Sequence, residues 1–271
     1  MALECDLAVN TPGEIISPCT IGVVWTNETF DLIGNISPGN GNVGITFSAG
    51  PNTLNFTGDI GSDEAERDAI LFNSTDNNVL NMIGNLSTTG IAEAGIHLSS
   101  SSLNTIVVDG NISSTNGFGF NIDSSNSNNI TMTGNIVSKL QGFYILLAGS
   151  NIINLTGGIT TSGNDGEGIS MISGASNTIN VTGNITTTGD SSYGISLNNS
   201  SANTTNITGD ITTSGANADG FIENSGSQLN TINITGDISA SGFSADGLNI
   251  NSLGYSYITL LGDITVSGTS G

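Results

Sequence analysis

Asn177-Thr178-Ile179-Asn180-Val181-Thr182-Gly183-Asn184-Ile185-Thr186 is the stretch that decides the fold of this chain. Apolar and polar residues alternate on both sides of one glycine, the period-two pattern of a half-buried strand, a corner and a second strand. The pattern is not confined to this stretch. Aligned on the glycine, copies centre on Gly34, Gly58, Gly84, Gly110, Gly134, Gly157, Gly183, Gly209, Gly236 and Gly262, spaced 23 to 27 residues apart. Self-similarity at that period is the signature of a coil stacked on its neighbours.

Two residues before each glycine stands an apolar residue, from Leu32 and Phe56 through Val181 to Leu260, and two after it another, from Ile36 and Ile60 through Ile185 to Ile264. A third short strand lies between copies, seen as Ile45/Phe47, Ile96/Leu98, Phe120/Ile122, Phe143/Ile145, Ile169/Met171, Ile195/Leu197 and Leu248/Ile250. One coil cannot bury its own apolar face, but coils stacked about 4.8 Å apart turn like residues into continuous columns. The fold class is therefore all-β: a single-stranded parallel β-helix (β-solenoid) of about ten coils, forming a rod about 50 Å long. Right-handed crossovers are expected. Two residues test the register. Thr205 takes a column otherwise held by Leu or Ile, and Glu223 falls where the third strand elsewhere is apolar, so a local shift is expected at Phe221-Ile222-Glu223.

Residues 31–271 form the repeat array, and residues 1–30 break the repeat as an N-terminal cap containing Pro12, Pro18 and Trp25. Cys5 and Cys19 also lie there, too far apart for C-x-x-C chemistry. A disulfide is expected between them, with two buried reduced thiols as the alternative.

Composition agrees with strands and turns. The chain holds 38 Gly, abundant Ile, Thr, Asn and Ser, only 2 Lys plus Arg, and a net charge of -21. Strong helix formers are mostly scarce. Arg67 and Lys139 cannot build a basic groove, so no nucleic acid partner is expected, nor an anionic membrane surface. No stretch is long and apolar enough to span a membrane as a helix, so direct insertion is not expected either. The start, Met1-Ala2-Leu3-Glu4-Cys5-Asp6, has neither the positive nor the apolar region of a signal peptide. If the protein is exported, a processed or engineered start is expected.

The glycine itself suits a sharp corner needing positive φ, and the Asn or Asp that usually follows suits a turn. Six residues before the glycine stand Asn52, Asn78, Asn104, Asn128, Asn151, Asn177, Asn203 and Asn230, one per coil. An amide both donates and accepts, so these predict a stacked asparagine ladder of structural purpose.

Candidate chemistry is sparse. Asp210, Asp237 and Asp263 follow the last three corner glycines and should stack on one edge, where they could attract a cation or simply remain solvated. As a glycosidase pair they would lack surrounding aromatic platforms and long loops. His97, the only histidine, is expected to face outward as a surface residue, and Asp63-Glu64-Ala65-Glu66-Arg67-Asp68 reads as a solvated loop. Sequons such as Asn55-Phe56-Thr57 arise from the repeat itself. A regular threonine array of the ice-binding kind is not sustained. No catalytic residue, metal or cofactor is expected, and the chain reads as no enzyme.

The Asn-Thr-Ile-Asn-Val-Thr-Gly-Asn-Ile-Thr-Thr unit, with Gly194-Ile195-Ser196-Leu197 and its equivalents, resembles the repeats of bacterial autotransporter passenger domains and related β-helical surface adhesins, from Leu32 onward. The resemblance implies a right-handed β-helix displayed outside a Gram-negative cell, serving adhesion or acting as a stalk. The membrane barrel and linker of that family have no counterpart here, so an excised passenger segment or another export route is expected. Ser267-Gly268-Thr269-Ser270-Gly271 stops inside a coil, which fits a truncation or an end that meets another subunit.

The function expected from the sequence is thus an extracellular structural and adhesive rod, secreted or at the cell surface. Its partners would be an extracellular surface, a glycan or matrix component, or neighbouring subunits. The alternatives are a self-assembling filament subunit and a glycan-processing, tailspike-like module.

Overall fold

The computed structural model describes residues 19–21, 27–37, 43–62 and 67–269. Three parallel sheets run the length of the molecule, of ten, ten and nine strands among the described residues, and each strand pairs with its equivalent one coil away. The first sheet runs from Cys19–Ile21 to Leu248–Ile250, the second from Glu28–Ile33 to Tyr257–Leu261 and the third from Ile60–Ser62 to Ile264–Val266. Described residues form no helix. The molecule is a parallel β-solenoid. Its coils begin before residue 31, since Cys19–Ile21 pairs with Ile45–Phe47 and Glu28–Ile33 with Asn52–Thr57. Cys5 lies outside the described residues, and with it the expected Cys5–Cys19 disulfide.

Strict register builds the core. Val181 sits between Leu155 and Ile207, and Ile185 between Ile159 and Ile211, all of them buried. The two columns flanking the glycine are buried from Leu32 to Ile234 and from Ile36 to Ile238. Aromatic residues on adjacent coils stack inside: the Phe47 and Phe72 rings lie 4.3 Å apart and those of Phe120 and Phe143 4.9 Å apart. The corner glycines adopt positive φ. At Gly134 φ is 141°, and a Cβ there would stand 2.0 Å from the Gly110 carbonyl oxygen. The corner thus excludes a side chain both by conformation and by the close approach of the coil before it.

Polar groups turned inward are paired coil to coil. Asn151 donates from Nδ2 to the Ser125 carbonyl at 2.9 Å and to Asn177 Oδ1 at 3.0 Å, while its own Oδ1 accepts the backbone N–H and Nδ2 of Asn128. The bonds from amide to amide recur from Asn78 to Asn203 and the bond to the carbonyl from Asn104 to Asn203, and Asn52 and Asn230 end the buried series. A second ladder runs along the corner edge. There Oδ1 of the Asn or Asp after the glycine accepts the N–H of its equivalent on the next coil, as from Asp59 to Asn85 at 2.7 Å and from Asp210 to Asp237 at 2.9 Å, with a break at Gly158, which has no side chain. These residues were expected to suit a turn, and the turn backbone they bond is that of the next coil.

The expected shift at Phe221-Ile222-Glu223 does not occur. Phe221, Ile222 and Glu223 pair in register with Ile195, Ser196 and Leu197 on one side and Leu248, Asn249 and Ile250 on the other. Glu223 is fully buried, with Oε1 accepting from Asn230 Nδ2 at 2.8 Å and Ser256 Oγ at 2.7 Å. Those two donors let a carboxyl group stand in an apolar column, although Oε2 has no partner. Thr205 likewise keeps its column between Ile179 and Ile232, buried and with Oγ1 unpartnered.

Candidate functional site

The outer face of the first sheet departs from the uniformity of the rest. Five of the third strands carry at their start a glycine whose N–H bonds to the next coil: Gly119 to Gln141, Gly142 to Glu167, Gly168 to Tyr193, Gly194 to Asp219 and Gly220 to Asp246, at 2.9 to 3.0 Å. The residues just before these glycines therefore stack, one per coil, as Phe118, Gln141, Glu167, Tyr193, Asp219 and Asp246. Beside them runs a second outward column in which His97 pairs with Asn121, Asn121 with Tyr144, Tyr144 with Ser170 and Ser170 with Ser196. The two columns make a strip in which the side chain changes at almost every level.

At one end lies an acid–histidine cluster. Asp68 Oδ1 accepts the Ala94 N–H at 2.8 Å, and Oδ2 lies 2.9 Å from His97 Nδ1. Asp68 was expected to belong to a solvated run, yet it is buried; Asp63, Glu64, Ala65 and Glu66 lie outside the described residues. His97 does face outward, but its side chain is only 24% exposed and engages Asp68 rather than bulk water. Burial pulls the imidazole pKa down. The Asp68 hydrogen bond and the charges of Asp68, Asp123 and Glu93 more than offset this, leaving it above its ordinary value. Glu93 is pushed up to about 7, first by burial and then by the charge of Asp68 and a hydrogen bond to it, against the opposing charges of His97 and Arg67. The hydrogen bond with Asp68 favours the protonated form of Glu93.

Further along, Phe118 and Tyr144 stack with ring centroids 5.3 Å apart. Gln141 Nε2 donates to Glu167 Oε2 and to the Asp165 carbonyl. Burial, and then the charge of Asp165, raises the Glu167 pKa; burial, and then Asp246, raises that of Asp219, despite the Asn249 Nδ2 bond at 2.8 Å. Tyr144 is raised by burial and then by Glu167 and Asp123, and Tyr193 by burial and then by Asp219, Glu167 and Asp165. Aromatic rings and carboxyl groups are thus close neighbours here. Every ionisable group clearly displaced from its ordinary pKa, among the described residues, lies on this face. Such clustering marks functional surfaces more often than structural ones.

Asp210, Asp237 and Asp263 stack as expected and are exposed, the Asp210 backbone N–H being held by the Asn184 amide oxygen and those of Asp237 and Asp263 by the carboxylate of the coil before. They lie on the corner edge and form no part of the strip. Among the described residues, no three His, Cys, Asp or Glu side chains converge as metal ligands. Aromatic residues that the sequence reading did not single out, Phe118, Tyr144 and Tyr193, gather on this strip and away from that edge. A repeat search looks for columns that stay the same, and these two vary. The available signal was the residue before each third-strand glycine, which is large, aromatic or acidic from Phe118 to Asp246.

The titrations have a consequence for stability. The folded chain keeps a proton on Glu93 that the unfolded chain releases, so stability declines as pH rises from about 4.5 to 7. His97 adds the same sign, its contribution being present below its unfolded pKa and lost as pH rises through the higher folded value. We expect the thermal midpoint to fall across this interval and Glu93→Gln to flatten part of the slope. A midpoint that rises with pH there, or an unchanged slope in the variant, would contradict the assignment.

No protein-family model matches the sequence, and a search of curated proteins returns no match. Among solved structures the chain is similar to the A-module of mannuronan C-5 epimerase AlgE6 from Azotobacter vinelandii, at 11% identity and a TM-score of 0.31, with 90% of each chain covered. That neighbour is a module of an enzyme, and the expectation that the chain is no enzyme is withdrawn. At this identity and TM-score the likeness carries no activity, substrate or site residue across.

Proposed function

We propose that the chain is an extracellular β-helical rod, of the surface-adhesin kind, that holds an extended polysaccharide along the outer face of its first sheet. The observation that carries this reading is the succession of aromatic rings and hydrogen-bonding side chains, Phe118, Tyr144 and Tyr193 among Asn121, Gln141 and Glu167, on consecutive levels of one strip. Coils repeat at about 4.8 Å, a step comparable to one sugar of an extended chain, so successive sugars meet successive coils. Aromatic faces cover the apolar faces of sugar rings while amides and carboxyls bind their hydroxyls. The rest of the rod is the support that keeps these levels aligned.

Affinity electrophoresis against a panel of soluble polysaccharides tests the reading. For any polymer that retards the wild type, Phe118→Ala or Tyr144→Ala is expected to weaken binding about tenfold or more. Phe243→Ala, at a residue 52% exposed and outside the strip, is expected to leave it unchanged. No retardation by any polymer, or equal loss in all three variants, would sink the proposal.

A second reading, glycan processing, is favoured by the Asp68–Glu93 pair. A carboxyl group that titrates near neutral pH beside a second carboxyl and a histidine is suited to moving a proton to or from a bound sugar. Its mark would be new reducing or unsaturated ends in the bound polymer, abolished by Glu93→Gln. Unchanged polymer after prolonged incubation would leave the holding role alone.

A further inference from the structure

We propose that the polymer held on the first-sheet strip is one carrying protonated amino groups, an amino-sugar polymer with free amines rather than a neutral or uronate polymer; this rests on the polysaccharide reading above. Three independent features point the same way. Glu167 and Asp219 stand two coils apart in one column, about 10 Å at the coil spacing, with Tyr193 between them. In an extended chain with twofold symmetry, every second sugar turns the same substituent to the same side. An amine on alternate sugars would therefore meet a carboxyl group on alternate coils, with the intervening ring on Tyr193.

The second feature is charge. Among the described residues, no cationic side chain contributes to the electrostatics of Glu167, Asp219, Tyr144 or Tyr193, whose neighbouring charges are all carboxylates. A partly buried carboxylate without a counter-charge is costly. An ammonium group placed between Glu167 and Asp219 supplies that charge and also gains from the aromatic faces. A uronate polymer would add like charge to a chain already at -21. The third feature is Asn121 Oδ1, between the levels of His97 and Tyr144, which is screened from solvent and has no hydrogen-bond partner. It is an acceptor to which the chain supplies no donor, and an N–H group would complete it.

The test titrates the full chain calorimetrically, in mildly acidic buffer of moderate salt, with a β-linked glucosamine oligomer, its N-acetylated counterpart and a galacturonate oligomer. The glucosamine oligomer is expected to bind at least about tenfold more tightly than the acetylated one, and the galacturonate oligomer not to bind. Glu167→Gln with Asp219→Asn should remove about tenfold of the amine affinity and leave the acetylated oligomer unaffected, whereas Tyr144→Ala should weaken both. Asp210→Asn with Asp237→Asn removes the same charge from the corner edge and should change nothing. Unaltered circular dichroism and thermal midpoints guard against misfolding.

If the acetylated or galacturonate oligomer binds as well as the amine, the ligand class is wrong while the polysaccharide reading stands. Equal weakening by the corner-edge pair reduces the effect to bulk charge and likewise overturns the proposal. Failure of all three oligomers, together with the absence of any binding polymer in the electrophoretic panel, removes both.

Discussion

Replacing Gly134 by alanine is expected to lower stability by about 3 to 5 kcal/mol, combining a strained positive φ with overpacking against backbone. The added Cβ would lie 2.0 Å from the Gly110 oxygen and 2.6 Å from its carbon. Backbone cannot swing aside as a flexible side chain does. Relief requires the two coils to separate, breaking the bonds between Thr105–Asp109 and Asn129–Thr133. In a solenoid each coil contacts its neighbours and little else, so the defect should remain local and divide the rod. Calorimetry of the variant should show two unfolding transitions where the wild type shows one. A single transition at the wild-type temperature would mean that the corner is looser than described.

Asn151→Ala is expected to cost about 3 kcal/mol, through unpaired buried polar groups and a small cavity. The substitution deprives the Ser125 carbonyl of its donor and leaves the backbone N–H of Asn128 without an acceptor, in a position with no solvent access. Asn180→Ala is the comparison. Asn180 belongs to a ladder on the outer face of the second sheet, donating to Asn154 Oδ1 at 2.8 Å and accepting from Asn206, and water can replace those bonds. A cost of about 0.5 to 1 kcal/mol is expected there. Chemical denaturation of both variants decides the matter: equal losses would show that the buried ladder carries no special weight.

Much of this architecture is legible in the residues because stacking makes identical demands at every level. The apolar columns from Leu32 and Ile36 onward must repeat, since each side chain packs on its own equivalent one coil away. The ladder from Asn52 to Asn230 repeats for the same reason. Glu223 escaped the pattern because its acceptability depends on Asn230 and on Ser256, which stands 33 residues further along the chain. The strip escaped it more completely. Asp68, Glu93 and His97 come from two coils and are joined only by folding, and the columns holding Phe118, Glu167 and Tyr193 are recognisable as columns only once the register is known. Repetition reveals the scaffold, and a surface adapted to a ligand is where repetition stops.

The most direct test of the polysaccharide strip is tyrosine-selective chemical modification of the full chain, read residue by residue by mass spectrometry, with and without a saturating polymer found by electrophoresis. Tyr255 and Tyr257 are 84% and 70% exposed near the last coil and serve as internal controls. The account predicts that the polymer shields Tyr144 and Tyr193 while Tyr255 and Tyr257 react as before. Continued reaction of Tyr144 and Tyr193 in the presence of bound polymer, or shielding confined to Tyr255 and Tyr257, would place the ligand elsewhere on the rod and contradict it.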